Sequence, residues 1–359
     1  MFYTLSKVKK STVAAATALS IMLAATLGAC SSNATDALNS STSNANKSNQ
    51  NQVSNVPAVP FGAPIDPAEA AIGKQVEGMV TVSTGQLRSY RLYVPASLPK
   101  DTAVPLLIAL HGGLGSGQQF EQQTGFDGLA ESNKFLVVYP NGSPSRKGSG
   151  SLVWNAGSCC SIADQNAENV NDVGFISALI AQLEGQYDID GNSIFVTGHS
   201  NGAMLAERLA CQLSAQIAAI AVQSGTLGVS CASSQPVAVM EIHGTADQNI
   251  PINGGVGQKS LTQQNFLPPV DALMTFAAQD GCPSAPALST SQANHDVNYE
   301  VWQPCKAGTV VEWVKVTGAN HAWMGHASTT ASQRLVGQPY MGFDSSSAVW
   351  SFLAAHFRK

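Results

Sequence analysis

Four short glycine-bearing motifs, "HGGLGSG", "GHSNG", "HGTADQN" and "GANHAWMG", each directly follow an apolar run in this chain. That placement constrains the fold more than any other feature. The runs "PLLIALHG" (105–112) and "FLVVYPNG" (135–142) are continuously apolar, as strands buried on both faces are. Between the runs lie helical patterns: 173–187 puts Phe175, Ile176, Leu179, Ile180 and Leu183 on one stripe, with Asp172 placed to cap its first turn. Further strands are predicted at 193–198, 217–225, 236–244 and 310–318. Helices are predicted at 201–214, 270–279 and 346–357, and "GMVTVST" with "SYRLYVPAS" alternates as an antiparallel pair would. Strands alternating with helices imply a mostly parallel central sheet with helices on both faces. Ligands bind such sheets beyond the carboxyl ends of the strands. All four motifs are therefore expected along one edge.

The N-terminal segment stands apart from this pattern. Lys7, Lys9 and Lys10 precede the apolar stretch "TVAAATALSIMLAATLGA", and Cys30 follows it. A basic start, an apolar centre and small residues at the end read as an export signal over residues 1–29. The ending "LGAC" resembles a bacterial lipoprotein signal, with Cys30 the lipidated mature N-terminus. An ordinary cleaved signal and an uncleaved anchor are the alternatives, since about 20 apolar residues can span a bilayer. Residues 30–56 carry Ser, Asn and Gln with almost no apolar side chains, and are expected to be a disordered tether. One domain, residues 57–359, is expected to follow. The location implied is exported and lipid-anchored, in the periplasm or at the outer membrane or cell surface, with secretion as the alternative.

Beyond Cys30 there are six cysteines, at 159, 160, 211, 231, 282 and 305. An even number in an exported chain points to disulfides. Local pairing gives Cys211–Cys231 and Cys282–Cys305, and leaves Cys159 and Cys160 as a vicinal pair or as partners elsewhere. Only 11% of residues are charged and the net charge is −5. No basic face is available for nucleic acid.

The strand-end motifs carry chemistry when taken together. In "TGHSNG" a strand must reverse sharply into a helix, which presents Ser200 from a strained turn as a nucleophile. A serine hydroxyl needs a base. Of seven histidines, His321 in "TGANHAWMG" follows the final predicted strand between small residues and is the best base, with His326 its rival. The imidazole needs a carboxylate to fix its tautomer. Asp247 in "IHGTADQNIP" lies on a strand-end loop, whereas Asp271 and Asp280 fall in or at the end of a helix. Ser200, Asp247 and His321 then stand in the chain order of α/β-hydrolases. "LHGGLGSG" supplies an oxyanion loop, with Gly113 or Leu114 as one backbone donor and Asn201 as the other. A phosphate loop is the weaker reading of these glycines, because no G-K-[ST] follows.

From about residue 76 onward the chain resembles the secreted polyhydroxybutyrate depolymerase and feruloyl esterase family of single-domain α/β-hydrolases. The stretches "RLYVPAS", "PLLIALHGG", "VVYPNG", "WNAGSCC", "NDVGFISALI", "VTGHSNGAM", "IHGTADQNIP" and "HAWMG" carry the resemblance. It implies Ser200, Asp247 and His321 as the triad, with Trp154, His199 and Trp323 as candidates for the substrate cleft. Two positions depart from the family pattern: Trp323-Met324-Gly325 replaces W-P-G, and Asn171 stands where an aspartate is usual. The implied activity is an exported serine carboxylic-ester hydrolase working through an acyl-serine, with no metal or other cofactor. Its substrates would be hydroxybutyrate oligomers or polymer, or feruloyl or acetyl esters of plant polysaccharide. Because no polymer-binding segment follows residue 359, soluble oligomers or small esters are expected to be preferred over crystalline polymer. A serine peptidase on the same fold and a non-catalytic surface binding protein are the competing readings. The membrane is expected as a partner only through the N-terminal lipid.

Overall fold

The computed structural model describes residues 73–145, 150–160 and 170–358, all within the compact unit Gly62–Lys359. The signal, the tether and Cys30 lie outside the described residues. In chain order the elements are β1 (Lys74–Thr81), β2 (Leu87–Val94), β3 (Val104–Leu110), α1 (Gly117–Thr124), α2 (Phe126–Asn133) and β4 (Leu136–Pro140). Next come β5 (Ser143–Pro144), β6 (Leu152–Val153), α3 (Asp172–Glu184), β7 (Ile189–His199), α4 (Asn201–Gln212), β8 (Ala219–Gln223) and β9 (Ala238–Gly244). The chain continues through α5 (Pro269–Gln279), β10 (Ala287–Thr290), β11 (Val297–Trp302), β12 (Val311–Val316), α6 (Thr330–Val336) and α7 (Ser345–Ala355).

Ten strands form one sheet in the order β1-β2-β4-β3-β7-β8-β9-β12-β11-β10. The six central strands, from β4 to β12, pair in parallel. Antiparallel hairpins flank them on either side: β1–β2, in which Gly78 faces Tyr90, and β10–β11. The mostly parallel sheet read from the apolar runs is thus present, and it carries antiparallel edges.

Side-chain alternation along β3 shows how the core divides. Leu106, Ile108 and Leu110 pack on one face with Phe175, Leu179, Leu205, Leu209 and Phe276 of α3, α4 and α5. Leu107 and Ala109 pack on the other with Phe120, Phe126, Val349 and Leu353 of α1, α2 and α7. Both faces are buried, so the strands need no polar alternation. Phe135 stacks on Trp350 at 3.7 Å between centroids and ties α7 to the second face.

The cap of α3 differs from expectation. Asn171, not Asp172, is the N-cap, its side chain accepting from Gly174 N at 2.8 Å. Asp172 lies one residue inside the helix, where it is buried against Arg88 at 2.8 Å. The departure at Asn171 is thereby explained: amide and carboxylate cap a helix about equally well.

The disulfides are Cys211–Cys231, Cys282–Cys305 and the vicinal pair Cys159–Cys160. Among the described residues no helix is long and apolar enough to cross a membrane.

Candidate active site

Strand β7 runs apolar and buried to His199, and the chain then turns at Ser200 with φ 55° and ψ −121° before α4 begins. Serine in the positive-φ region costs energy that the surroundings must supply. Two glycines make the turn feasible. A Cβ on Gly202 would run into the carbonyl oxygens of Leu110 and His111, and one on Gly198 would collide with Gly202. The elbow is further held by Ser200 N donating to Gln223 O at 3.0 Å. The N-terminus of α4 lies at Ser200 and favours negative charge developing there.

Ser200, Asp247 and His321 come together as read from the sequence. His321 Nε2 lies 2.8 Å from Ser200 Oγ, and His321 Nδ1 lies 2.7 Å from Asp247 Oδ2. With the carboxylate as acceptor, Nδ1 carries the proton and Nε2 presents its lone pair to the serine hydroxyl. Asp247 Oδ1 accepts from the amides of Asn249 at 2.8 Å and Ile250 at 3.0 Å. Burial disfavours the Asp247 charge, yet His321, His243 and the Ile250 amide together hold it well below the usual carboxylate range. Asp247 and His321 are buried, while Ser200 is half-buried.

The rival groups are engaged elsewhere. His326 pairs with Asp344 at 3.1 Å. Asp280 accepts from Val237 N and from the Thr309 hydroxyl, and Asp271 sits in the first turn of α5.

The loop after β3 lies against the elbow: a Cβ on Gly112 would be 3.6 Å from Ser200 Cβ, and one on Gly113 would be 3.6 Å from Asn201 Cβ. Of the expected donors, Leu114 N already donates to Leu152 O at 2.7 Å, which leaves the Gly113 N–H as the loop candidate. The Gly112 carbonyl is held by His111 Nδ1 at 2.8 Å and by Gly115 N at 3.0 Å. The Gly112 carbonyl and the Gly113 N–H share a planar trans peptide and point oppositely, so fixing one aims the other. His111 Nε2 accepts from Gly142 N at 3.0 Å, and burial pushes this ring down to about 4, leaving it neutral at ordinary pH.

All three cleft candidates require correction, because each is buried and packs behind the site rather than lining it. Trp154 donates its indole N–H to His111 O at 2.8 Å, stacks on Phe175, and has its backbone clasped by the Asn201 amide side chain. Trp323 packs edge-on against Phe120, Phe126 and His199 and donates to Ser346 Oγ. His199 Nε2 donates to the His321 carbonyl at 2.6 Å. Burial, then the neighbouring His321 ring, pushes His199 down to about 3.

Sequence reasoning missed Gln223. This fully buried amide donates to Ala322 O at 2.9 Å and accepts from Met324 N and from Ser345 Oγ. It holds the loop that carries His321. A glutamine ending the apolar run "IAAIAVQ" was the available signal, since a buried amide must be hydrogen-bonded.

Such an arrangement can attack an acyl carbon from Ser200, pass the proton to His321, and stabilise the resulting oxyanion between backbone donors. Placed at the carboxyl ends of parallel strands β3, β7, β9 and β12, it defines a protein of the α/β-hydrolase fold. Residues 88–265 match the family model described as Esterase PHB depolymerase. The segment contains Ser200 and Asp247, and His321 lies beyond it.

Over 242 residues the chain is 26% identical to the bifunctional acetylxylan esterase/xylanase of Neocallimastix patriciarum, covering 66% of this chain and 31% of that protein. Over 238 residues it is 28% identical to feruloyl esterase B of Piromyces equi, covering 64% of this chain and 41% of that one. The chain thus spans less than half the length of these two relatives. The solved acetyl xylan esterase from Aspergillus awamori superposes with a TM-score of 0.52 at 17% identity, covering 72% of this chain and 97% of that one, and shares the fold.

Proposed function

We propose that the protein is an exported serine carboxylic-ester hydrolase that acts through an acyl-serine intermediate. The observation that carries this reading is the unbroken hydrogen-bonded line from Ser200 Oγ through His321 to Asp247, at 2.8 and 2.7 Å. Ser200 attacks the ester carbonyl while His321 takes its proton. Asp247 supports the imidazolium, and the N–H groups of Gly113 and Asn201 receive the oxyanion. His321 then protonates the leaving alcohol, and water releases the acid.

For the acyl group, the names of the relatives favour feruloyl and acetyl esters of plant polysaccharide, and the family description favours hydroxybutyrate oligomers. The test is a panel of methyl ferulate, p-nitrophenyl acetate and butyrate, hydroxybutyrate oligomers and a peptide anilide, with wild type and Ser200→Ala. Ester turnover abolished by Ser200→Ala is expected. Undiminished turnover in that variant, or cleavage of the anilide alone, overturns the proposal. Export with a lipid on Cys30 is tested by Cys30→Ser, which should release the protein from the membrane fraction.

A further inference from the structure

His243 closes the strand that delivers Asp247, and the mechanism just given does not use it. The ring is completely buried, and both of its nitrogens face acceptors. Nδ1 lies 2.9 Å from Glu241 Oε1, and Nε2 lies 2.9 Å from the Ile250 carbonyl. Glu241 Oε1 also accepts from Gly225 N at 2.9 Å, which fixes it as an acceptor toward the ring. A ring that serves two acceptors needs a proton on each nitrogen. The same Nε2 lies 3.6 Å from Asp247 Oδ2, beyond hydrogen-bond range but well within Coulombic reach. That oxygen is the one His321 contacts. One carboxylate oxygen therefore lies between two imidazoles.

The charged and titratable groups facing His243 support the same state. Burial alone would push the ring down, yet Glu241 at Nδ1 and the Asp247 charge raise it overall. Burial and the neighbouring Glu241 charge push Glu207, on α4, well up, and burial pushes Glu241 up as well, against the lowering effect of His243 and the Gly225 amide. Lys315, the register partner of His243 on β12, is turned to Glu300 and the face of Trp313. Glu241 thus faces the ring on one side and Asp247 on the other.

We propose that His243 is a positioning residue for the triad: an imidazolium clamped between Glu241 and the Asp247 loop, which keeps that carboxylate ionised and aimed at His321. Ile250 supplies the mechanical link. Its carbonyl accepts from His243, while its amide donates to Asp247 Oδ1 at 3.0 Å. The two groups lie in adjacent peptide units joined at the Ile250 Cα, so the bond to His243 anchors the residue whose N–H reaches the acid.

The proposal rests on the triad reading, so its first test does not use turnover. In protein labelled with nitrogen-15 histidine, His243 is identified by proximity of its Nε2–H to Ile250. Protonation of both ring nitrogens at pH 7 is expected, and a ring with one bare nitrogen overturns the proposal. This readout survives even if Ser200→Ala disproves the nucleophile.

The second test compares the pH profiles of His243→Gln and Glu241→Gln, each of which removes the cation or its counter-charge. The expected kcat falls about 10- to 100-fold, short of the roughly 10⁴-fold seen when a triad aspartate is neutralised. The KM should change little. In His243→Gln, with the cation gone from beside the base, the acidic limb of kcat/KM should move up by about one pH unit. A fall in kcat with an unmoved acidic limb would reduce His243 to a packing residue and overturn the proposal.

Discussion

The imidazole of His199 donates from Nε2 to the backbone carbonyl of His321 at 2.6 Å, so the residue before Ser200 holds His321 in place. The contact joins the end of β7 to the loop after β12, 122 positions apart in the chain. With its ring pushed down to about 3, His199 is neutral throughout the range in which an esterase is assayed. His199→Ala should lower kcat about tenfold or more, because a slight misplacement of a catalytic group is costly. The activity–pH profile should keep its shape. A profile that changes shape in this variant would show His199 titrating during turnover.

The same residue makes a prediction about stability. A histidine whose folded value lies below its unfolded value of about 6.5 resists protonation only in the folded state. Between about pH 6.5 and 3 the unfolded chain binds the extra proton, so stability falls as pH falls through that window. His111, pushed down to about 4, acts in the same direction. Thermal unfolding of wild type and His199→Gln should therefore converge as pH drops from 7 to 4. A constant difference in Tm across that range would contradict the burial argument.

Asp247 receives four hydrogen-bonding or ionic partners, among them two backbone amides that do not depend on its charge. Asp247→Asn should therefore fold normally. It should lose about 10⁴-fold in kcat, through the wrong tautomer of His321. Circular dichroism and steady-state kinetics on one preparation check both halves. Residual activity within tenfold of wild type would mean that a different acid serves the base.

Assignment of the loop donor to Gly113 is tested by a pair of substitutions. The space beside Gly113 admits a methyl, since a Cβ there meets only Asn201 Cβ, at an ordinary 3.6 Å. Gly113→Ala keeps the N–H and should retain most activity. Gly113→Pro deletes it and should lower kcat about 10²- to 10³-fold. Equal effects of the two variants would return the assignment to Leu114 and require its bond to Leu152 to open.

The grouping of Ser200, Asp247 and His321 was legible because each sits directly after an apolar run, and parallel strands bring such ends to one edge. Trp154, Trp323 and His199 were misread for a related reason. Proximity to the nucleophile in a motif does not say whether a side chain faces outward, and all three turn inward to bond backbone carbonyls or Ser346. The helix α1 (GQQFEQQT) was invisible because Phe120 is its only large apolar residue, too few for a periodicity. β10 (ALST) is exposed along its whole length and carries no burial pattern to read. β11 (VNYEVW) did alternate, and its signal went unused because nothing marked its short edge partner.

The buried pair of Arg88 and Asp172 connects stability to the site and gives the last prediction. Arg88 Nη2 lies 2.8 Å from Asp172 Oδ1, the guanidinium covers the Phe175 ring at 4.2 Å, and it also donates to Asn141 O. Asp172 Oδ2 accepts from Asn155 N at 2.7 Å, and the adjoining Trp154 backbone is clasped by the side chain of Asn201, whose own N–H is the proposed second oxyanion donor. Asp172→Leu strands a buried cation and should cost about 3–5 kcal/mol. Replacing both partners, Arg88→Met with Asp172→Leu, should recover much of that loss, because a buried pair contributes little beyond an apolar substitute. Activity should not recover with stability, since the bond from Asn155 N to Asp172 Oδ2 is lost and with it that hold on the Trp154 segment. Denaturant unfolding of the two single variants and the double variant, with kcat on each, separates the two effects. Full recovery of kcat in the double variant would show that Asp172 acts on the site only through stability.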